Sequence, residues 1–145
     1  MKVAFLIGHL NRGGAETLLL DVFRRWHDIH FDMTLVHRRD GEYEEDFYAL
    51  SKFQNGPTVI HLVPRGWNYI GYILNLGSIL KSKQIDVIHA QSWLDCIYGK
   101  IASVGLSVRM YLTMHGYYGC ECNWFWAILY RMAFFCANTI CFVSN

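Results

Sequence analysis

Proline is nearly missing from this chain, with 2 in 145 residues, and the 12 glycines are scattered. That excludes a collagen-like or linker-like chain. An excess of charge of one sign is missing too. Lys plus Arg number 13 against 12 Asp plus Glu, so there is no basic footprint for nucleic acid. Charged residues make up only 17% and apolar residues 53%, which excludes intrinsic disorder. No apolar run reaches the roughly 18 residues of a membrane-crossing helix. The most apolar stretch, 124–136, is interrupted by Arg131. The opening MKVAFLIG loses its apolar run at Gly8, with no small-residue cleavage site and an amphipathic pattern directly after it. It therefore reads as the start of a cytoplasmic chain and not as a signal peptide. The five cysteines are odd in number and mostly sit in apolar contexts, so reduced thiols are expected.

What is present is a repeating order of strand, turn and helix. Residues 2–7 form a continuous apolar run, as in a strand buried on both faces. Ala15, Leu18, Leu19, Val22, Phe23 and Trp26 mark one face of a helix. Strands are expected at 33–37, 58–63, 85–90, 108–114 and 139–143, with helices near 44–53, 70–80, 94–105 and 123–136. Six strands alternating with helices imply an α/β fold: a doubly wound, Rossmann-like parallel sheet with helices on both faces. The length suits one domain, which would bury roughly 70% of its unfolded surface. So many apolar residues in a small domain predict a docking face for a partner, a second domain or a membrane. The chain stops at Asn145 directly after a strand, which reads as a cut through a larger protein.

Ligands of open parallel sheets sit beyond the C-terminal strand ends, where three loops carry suggestive residues. In Gly8-His9-Leu10-Asn11-Arg12-Gly13-Gly14, paired glycines at a helix start leave backbone N–H groups uncovered beside the positive end of the helix dipole. Such a turn suits a phosphate or a sugar hydroxyl, or it serves only as a tight turn with Glu16 favouring the first helical turn. In His89-Ala90-Gln91-Ser92-Trp93, His89, Gln91 and Ser92 should project near the crevice. In Thr113-Met114-His115-Gly116-Tyr117, Gly116 turns the chain away and leaves the imidazole of His115 exposed. Cys120-x-Cys122 follows closely, but zinc sites want wider spacing and four ligands, so free thiols are expected and no metal. The glycine spacing is not GxGxxG, and Asp40 alone does not make a nicotinamide site.

These loops also carry a family resemblance. MKVAFLIGHLNRGGAETLLLDVFRRW resembles the N-terminal signature of glycosyltransferase family 4, with its strand, Gly-Gly-Ala-Glu and long helix. IDVIHAQSWLDCIYGKIAS, VRMYLTMHGYY and TICFVSN resemble that family's later strands in order, with Ser144 in register. The resemblance covers nearly the whole chain and is patchy from Arg38 to Ser82. It implies the GT-B architecture, two Rossmann-like domains facing each other across a cleft. Residues 1–145 would be the N-terminal, acceptor-side half, without the C-terminal domain that holds the nucleotide sugar, a UDP- or GDP-sugar. It implies metal-independent transfer with retention, without a cofactor, to a glycan or lipid-linked acceptor in polysaccharide biosynthesis. Carried over, His115 would be catalytic, hydrogen-bonding the donor sugar or its phosphate. Gly13 and Gly14 would lie against the diphosphate or the acceptor, with His89 and Gln91 beside them and Ser144 or Asn145 at the cleft floor. The family often has a second His where Gln91 stands. The second domain's Arg/Lys pair and Glu-x7-Glu motif are not in these residues, so the 145 residues alone should not be competent. The alternative is a non-catalytic binding or partner subunit.

One helix predicts a surface. At 100° per residue, Phe125, Ile128, Leu129, Met132, Phe135 and Cys136 share the face expected to pack on the sheet. Trp126, Tyr130 and Phe134 then line the opposite face. They would suit cover by the missing domain or a second subunit, or peripheral membrane contact at the inner face of the membrane, with Arg131 reaching for headgroups.

Overall fold

A computed structural model of the chain describes residues 1–28, 30–66, 68–115 and 124–143. Its strands are Lys2–Ile7 (β1), Asp32–His37 (β2), Thr58–His61 (β3), Val87–Ala90 (β4), Arg109–His115 (β5) and Thr139–Val143 (β6). The α-helices are Gly14–Arg24 (α1), Glu44–Ser51 (α2), Tyr69–Ser82 (α3), Trp93–Ala102 (α4) and Trp124–Cys136 (α5). The strands form one sheet in the order β3-β2-β1-β4-β5-β6, with every neighbouring pair parallel. The chain winds outward from β1 to β3, then returns through α3 to place β4 on the other side of β1. This reversal opens a crevice at the C-terminal ends of β1 and β4.

Side chains alternate along each strand, so the sheet divides two cores. Val3, Phe5 and Ile7 pack with Leu19, Leu20, Phe23 and Phe47 from α1 and α2. Ala4 and Leu6 pack with Leu76, Leu80, Cys96 and Ala133 from α3, α4 and α5. Each fully buried Leu or Phe contributes roughly 1.5–3 kcal/mol of transfer free energy. α3 lies close on α4 because residue 77 is glycine: a Cβ there would come 2.8 Å from the Ala102 carbonyl oxygen.

The helix faces are where the structure departs from the sequence reading. In α3 the apolar spacing of Ile70, Ile73, Leu74, Gly77 and Leu80 marks one face in the sequence, but the buried residues are Tyr72, Leu76 and Leu80, while Ile70 and Leu74 are exposed. In α5, Tyr130 and Ala133 are buried, and Leu129, Phe134 and Cys136 pack against the same core. Ile128, Met132 and Phe135 are exposed, Phe135 to 90%. The expected arrangement is therefore reversed for Tyr130 and Phe134, which face inward and cannot form a membrane-facing row. The side chain of Trp126 lies outside the described residues. The reason is packing: small Ala133 lets α5 settle on α4, where the Cys96 thiol reaches the Ala133 carbonyl at 3.5 Å. A helix apolar all round has little period to read. No helix among the described residues is long and apolar enough to cross a membrane.

Candidate functional site

The crevice is built from the ends of β1, β4 and β5 and the start of α1. Gly13 is the N-cap of α1, with extended backbone (φ −146°, ψ 169°) and no side-chain cap. The first N–H groups of the helix therefore point outward beside the positive end of its dipole. Gly14 has open space where a Cβ would lie, whereas a Cβ on Gly13 would run into the carboxylate of Glu16. Glu16 is buried at 6% exposure, which a glutamate tolerates only when paired. Its partner is His9, Nδ1 to Oε1 at 3.2 Å.

From β5, His115 Nε2 lies 3.0 Å from Gln91 Oε1. The amide oxygen accepts, so the proton sits on Nε2 and Nδ1 keeps its lone pair. Burial lowers the His115 pKa, opposed by the charge of Glu16. The imidazole is thus held neutral, oriented and partly open to the crevice. His89 sits deeper. Its Nε2 meets Thr113 Oγ1 at 2.6 Å, and its ring packs on Phe5 with centroids 5.3 Å apart. Burial lowers its pKa as well, helped by His115. His89 is a packed support for the crevice wall, not the projecting group expected from sequence. Ser92 is not a projecting group either: it caps α4, accepting from the Asp95 N–H at 3.2 Å.

Beneath the crevice, Arg38 Nη2 meets Asp95 Oδ1 at 2.7 Å, and the Ser92 hydroxyl donates to Asp95 Oδ2 at 2.6 Å. Burial pushes the Asp95 carboxyl up, with Arg38 and Ser92 opposing. Arg38 also lies over the Tyr98 ring at 5.3 Å and against Gly8, where a Cβ would come 3.0 Å from Nη2. Arg12, in the glycine loop, pairs with Glu42. Glu16, Thr113, Arg38 and Asp95 were not named as site residues from sequence. Glu16 stood in the Gly-Gly-Ala-Glu motif, and Ser-x-x-Asp was a capping signature. The reach of Arg38 across two strands left no local trace. Ser144, Asn145, Gly116, Cys120 and Cys122 lie outside the described residues. A cavity of about 630 Å³ lies at the opposite, N-terminal edge of the sheet, lined in part by Lys2, Trp26, Asp32 and Thr58, away from these groups.

The profile of Glycosyltransferase Family 4 matches residues 12–145. The chain belongs to glycosyltransferase family 4. The family 4 domain also superposes on solved GT-B structures, and its fold is one Rossmann-like half of that architecture. HepE from Anabaena, solved with UDP-glucose, gives a TM-score of 0.70 at 19% identity, over 97% of this chain and 36% of that one. MurG from Acinetobacter baumannii gives 0.70 at 9% identity, over 99% and 42%. A UDP-GlcNAc 2-epimerase from Methanocaldococcus jannaschii gives 0.65 at 15% identity, over 97% and 38%. The family 4 domain thus spans about two fifths of these proteins. No match was found among curated proteins.

The neutral imidazoles of His89 and His115, with that of buried His37, set a pH dependence. A histidine whose folded pKa is lowered binds its proton more readily when unfolded, so stability falls as pH drops below the ordinary value of 6.5. The urea midpoint is expected to fall between pH 7.5 and 5.5, and His89→Gln should flatten that slope. A slope unchanged in the variant would show that His89 is not held neutral.

Proposed function

We propose that the family 4 domain is the acceptor-side half of a retaining, metal-independent glycosyltransferase. It would serve transfer from a UDP- or GDP-sugar to a glycan or lipid-linked acceptor. The observation that carries this reading is the convergence of an oriented neutral His115, Gln91, buried Glu16 and an uncapped helix start on one crevice. This set suits sugar hydroxyls, which both donate and accept. It suits a diphosphate poorly on its own. Glu16 places a carboxylate over the helix start, and Arg12 and Arg38 are already paired with Glu42 and Asp95. A facing domain would therefore supply the cations for the donor phosphates, in keeping with HepE having been solved with UDP-glucose. His115 would hydrogen-bond the sugar as charge develops at the transferring carbon.

The test is transfer by a protein carrying this domain together with a nucleotide-sugar half, supplied with UDP- and GDP-sugars and free or lipid-linked oligosaccharides. Product with the donor's anomeric configuration, formed in the presence of EDTA, is the expected result. Acceptor binding without transfer would instead identify a binding subunit. Gly14→Ala sharpens the test, because the fold leaves room for the methyl. Its stability should stay level or rise by up to about 1 kcal/mol. KM for the substrate approaching that loop should rise at least several-fold. Unchanged kinetics for both substrates would reduce the glycine pair to a turn.

A further inference from the structure

A second cluster of chemistry-bearing groups lies at the C-terminal ends of β2 and β3, apart from the His115 crevice. The register pairs His37, the last residue of β2, with His61, the last of β3. Their rings stack with centroids 4.5 Å apart and planes 9° apart. His37 is fully buried. Its Nδ1 lies 3.2 Å from the Arg39 carbonyl oxygen, which can only accept, so Nδ1 carries the proton and Nε2 keeps its lone pair. Tyr48 approaches that nitrogen at 3.4 Å. In His61, Nδ1 lies 3.1 Å from Asp40 Oδ1. Its Nε2 is buried without a hydrogen-bond partner, an arrangement that costs free energy as it stands. Glu44, at the start of α2, reaches Asp40 and crowds a second carboxylate against the first.

From this the geometry points to a divalent transition-metal site formed by His37, His61 and Asp40, closed by Glu44 or water. One ligand atom from each of the three lies within 4.8 Å of the others. Two features separate this cluster from a group of polar residues that happen to meet. The Arg39 carbonyl holds the Nδ1 side of His37, the outer-shell arrangement that orients a histidine ligand and leaves its Nε2 free to bind. A cation held between Asp40 and the Nδ1 side of His61 would also relieve the Asp40–Glu44 crowding. Imidazole with carboxylate suits zinc, cobalt or nickel better than magnesium or calcium. Ligand atoms on one zinc sit roughly 3.4 Å apart, so the cluster must tighten by about 1 Å. The nearly parallel rings also require one of them to turn. His61 and Asp40 stand at the surface and can make both movements, while buried His37 stays fixed. The bound ion would pin the β2–α2 loop to the end of β3. It takes no part in sugar transfer, so the two readings stand or fall separately.

The experiment titrates Zn²⁺ and Co²⁺ into the domain carrying Cys120→Ser, Cys122→Ser and Cys141→Ser, which removes the Cys-x-Cys thiols and the exposed Cys141 thiol. The expected result is one site of micromolar or tighter affinity, visible Co²⁺ absorption bands and a rise in Tm of several degrees. His61→Ala and the surface change Asp40→Asn should each weaken binding at least 10-fold, as loss of a ligand or outer-shell partner does. The Asp40 variant keeps the test open if His61→Ala does not fold. No saturable binding near 100 µM metal, or affinity unchanged in the folded variants, would overturn the assignment.

Discussion

Asp95→Ala is expected to destabilise the domain by about 3–5 kcal/mol, the usual result of removing one partner from a buried ion pair. Asp95 has 1% of its side chain exposed and Arg38 14%. With the carboxylate gone, the guanidinium would remain against Tyr98 and Gly8 with its charge uncompensated, and Ser92 would lose its acceptor. Removing both charges is a different matter. An apolar pair of similar volume can match a buried salt bridge, so Arg38→Met with Asp95→Leu should recover at least half of the loss. Urea unfolding of Arg38→Met, Asp95→Leu and the double variant measures the coupling. A loss below about 1 kcal/mol for Asp95→Ala would mean that the pair is solvated and that Arg38 is free to meet a ligand.

His115→Ala should lower turnover by about 100- to 1000-fold in a protein that carries both halves, the scale for losing a preorganised hydrogen bond to a transition state. The argument rests on placement. His115 ends β5, Gln91 fixes its Nε2, and burial keeps it neutral. Because the ring is only partly buried, the fold should survive, and a melting curve close to wild type would confirm it. Gln91→Leu removes the orienting oxygen but keeps the imidazole, so a smaller loss of roughly 10-fold is expected. Wild-type turnover in a folded His115→Ala variant would sink the catalytic role.

The alternation of strands and helices in one parallel sheet, and the placing of a crevice at the C-terminal strand ends, were legible in the sequence. Buried parallel strands read as short apolar runs, and residues 2–7 and 108–114 carry that pattern. The helix faces were less legible. In α5 nearly every position is apolar, and the inner face is chosen by where a small residue, Ala133, permits close contact. That choice belongs to tertiary packing. The site divides the same way. His115 and Gln91 follow from their positions after strands. The pairing of Arg38 with Asp95, 57 residues apart, and the meeting of His37 with His61 exist only once strand register is set.

The alternation along β4 and β5 also divides responsibilities. Ile88, Ala90, Met110, Leu112 and Met114 face α3, α4 and α5, and all are buried and apolar. His89, Gln91, Thr113 and His115, the alternate residues of the same segments, carry the polar contacts. Mutational drift beneath α3–α5 therefore acts on how much of the protein is folded, whereas drift in the polar contacts at these two strand ends acts on what the folded protein recognises. Ligand preference at the crevice would diversify through these polar positions while the face under α3–α5 kept the reserve of stability that such change consumes.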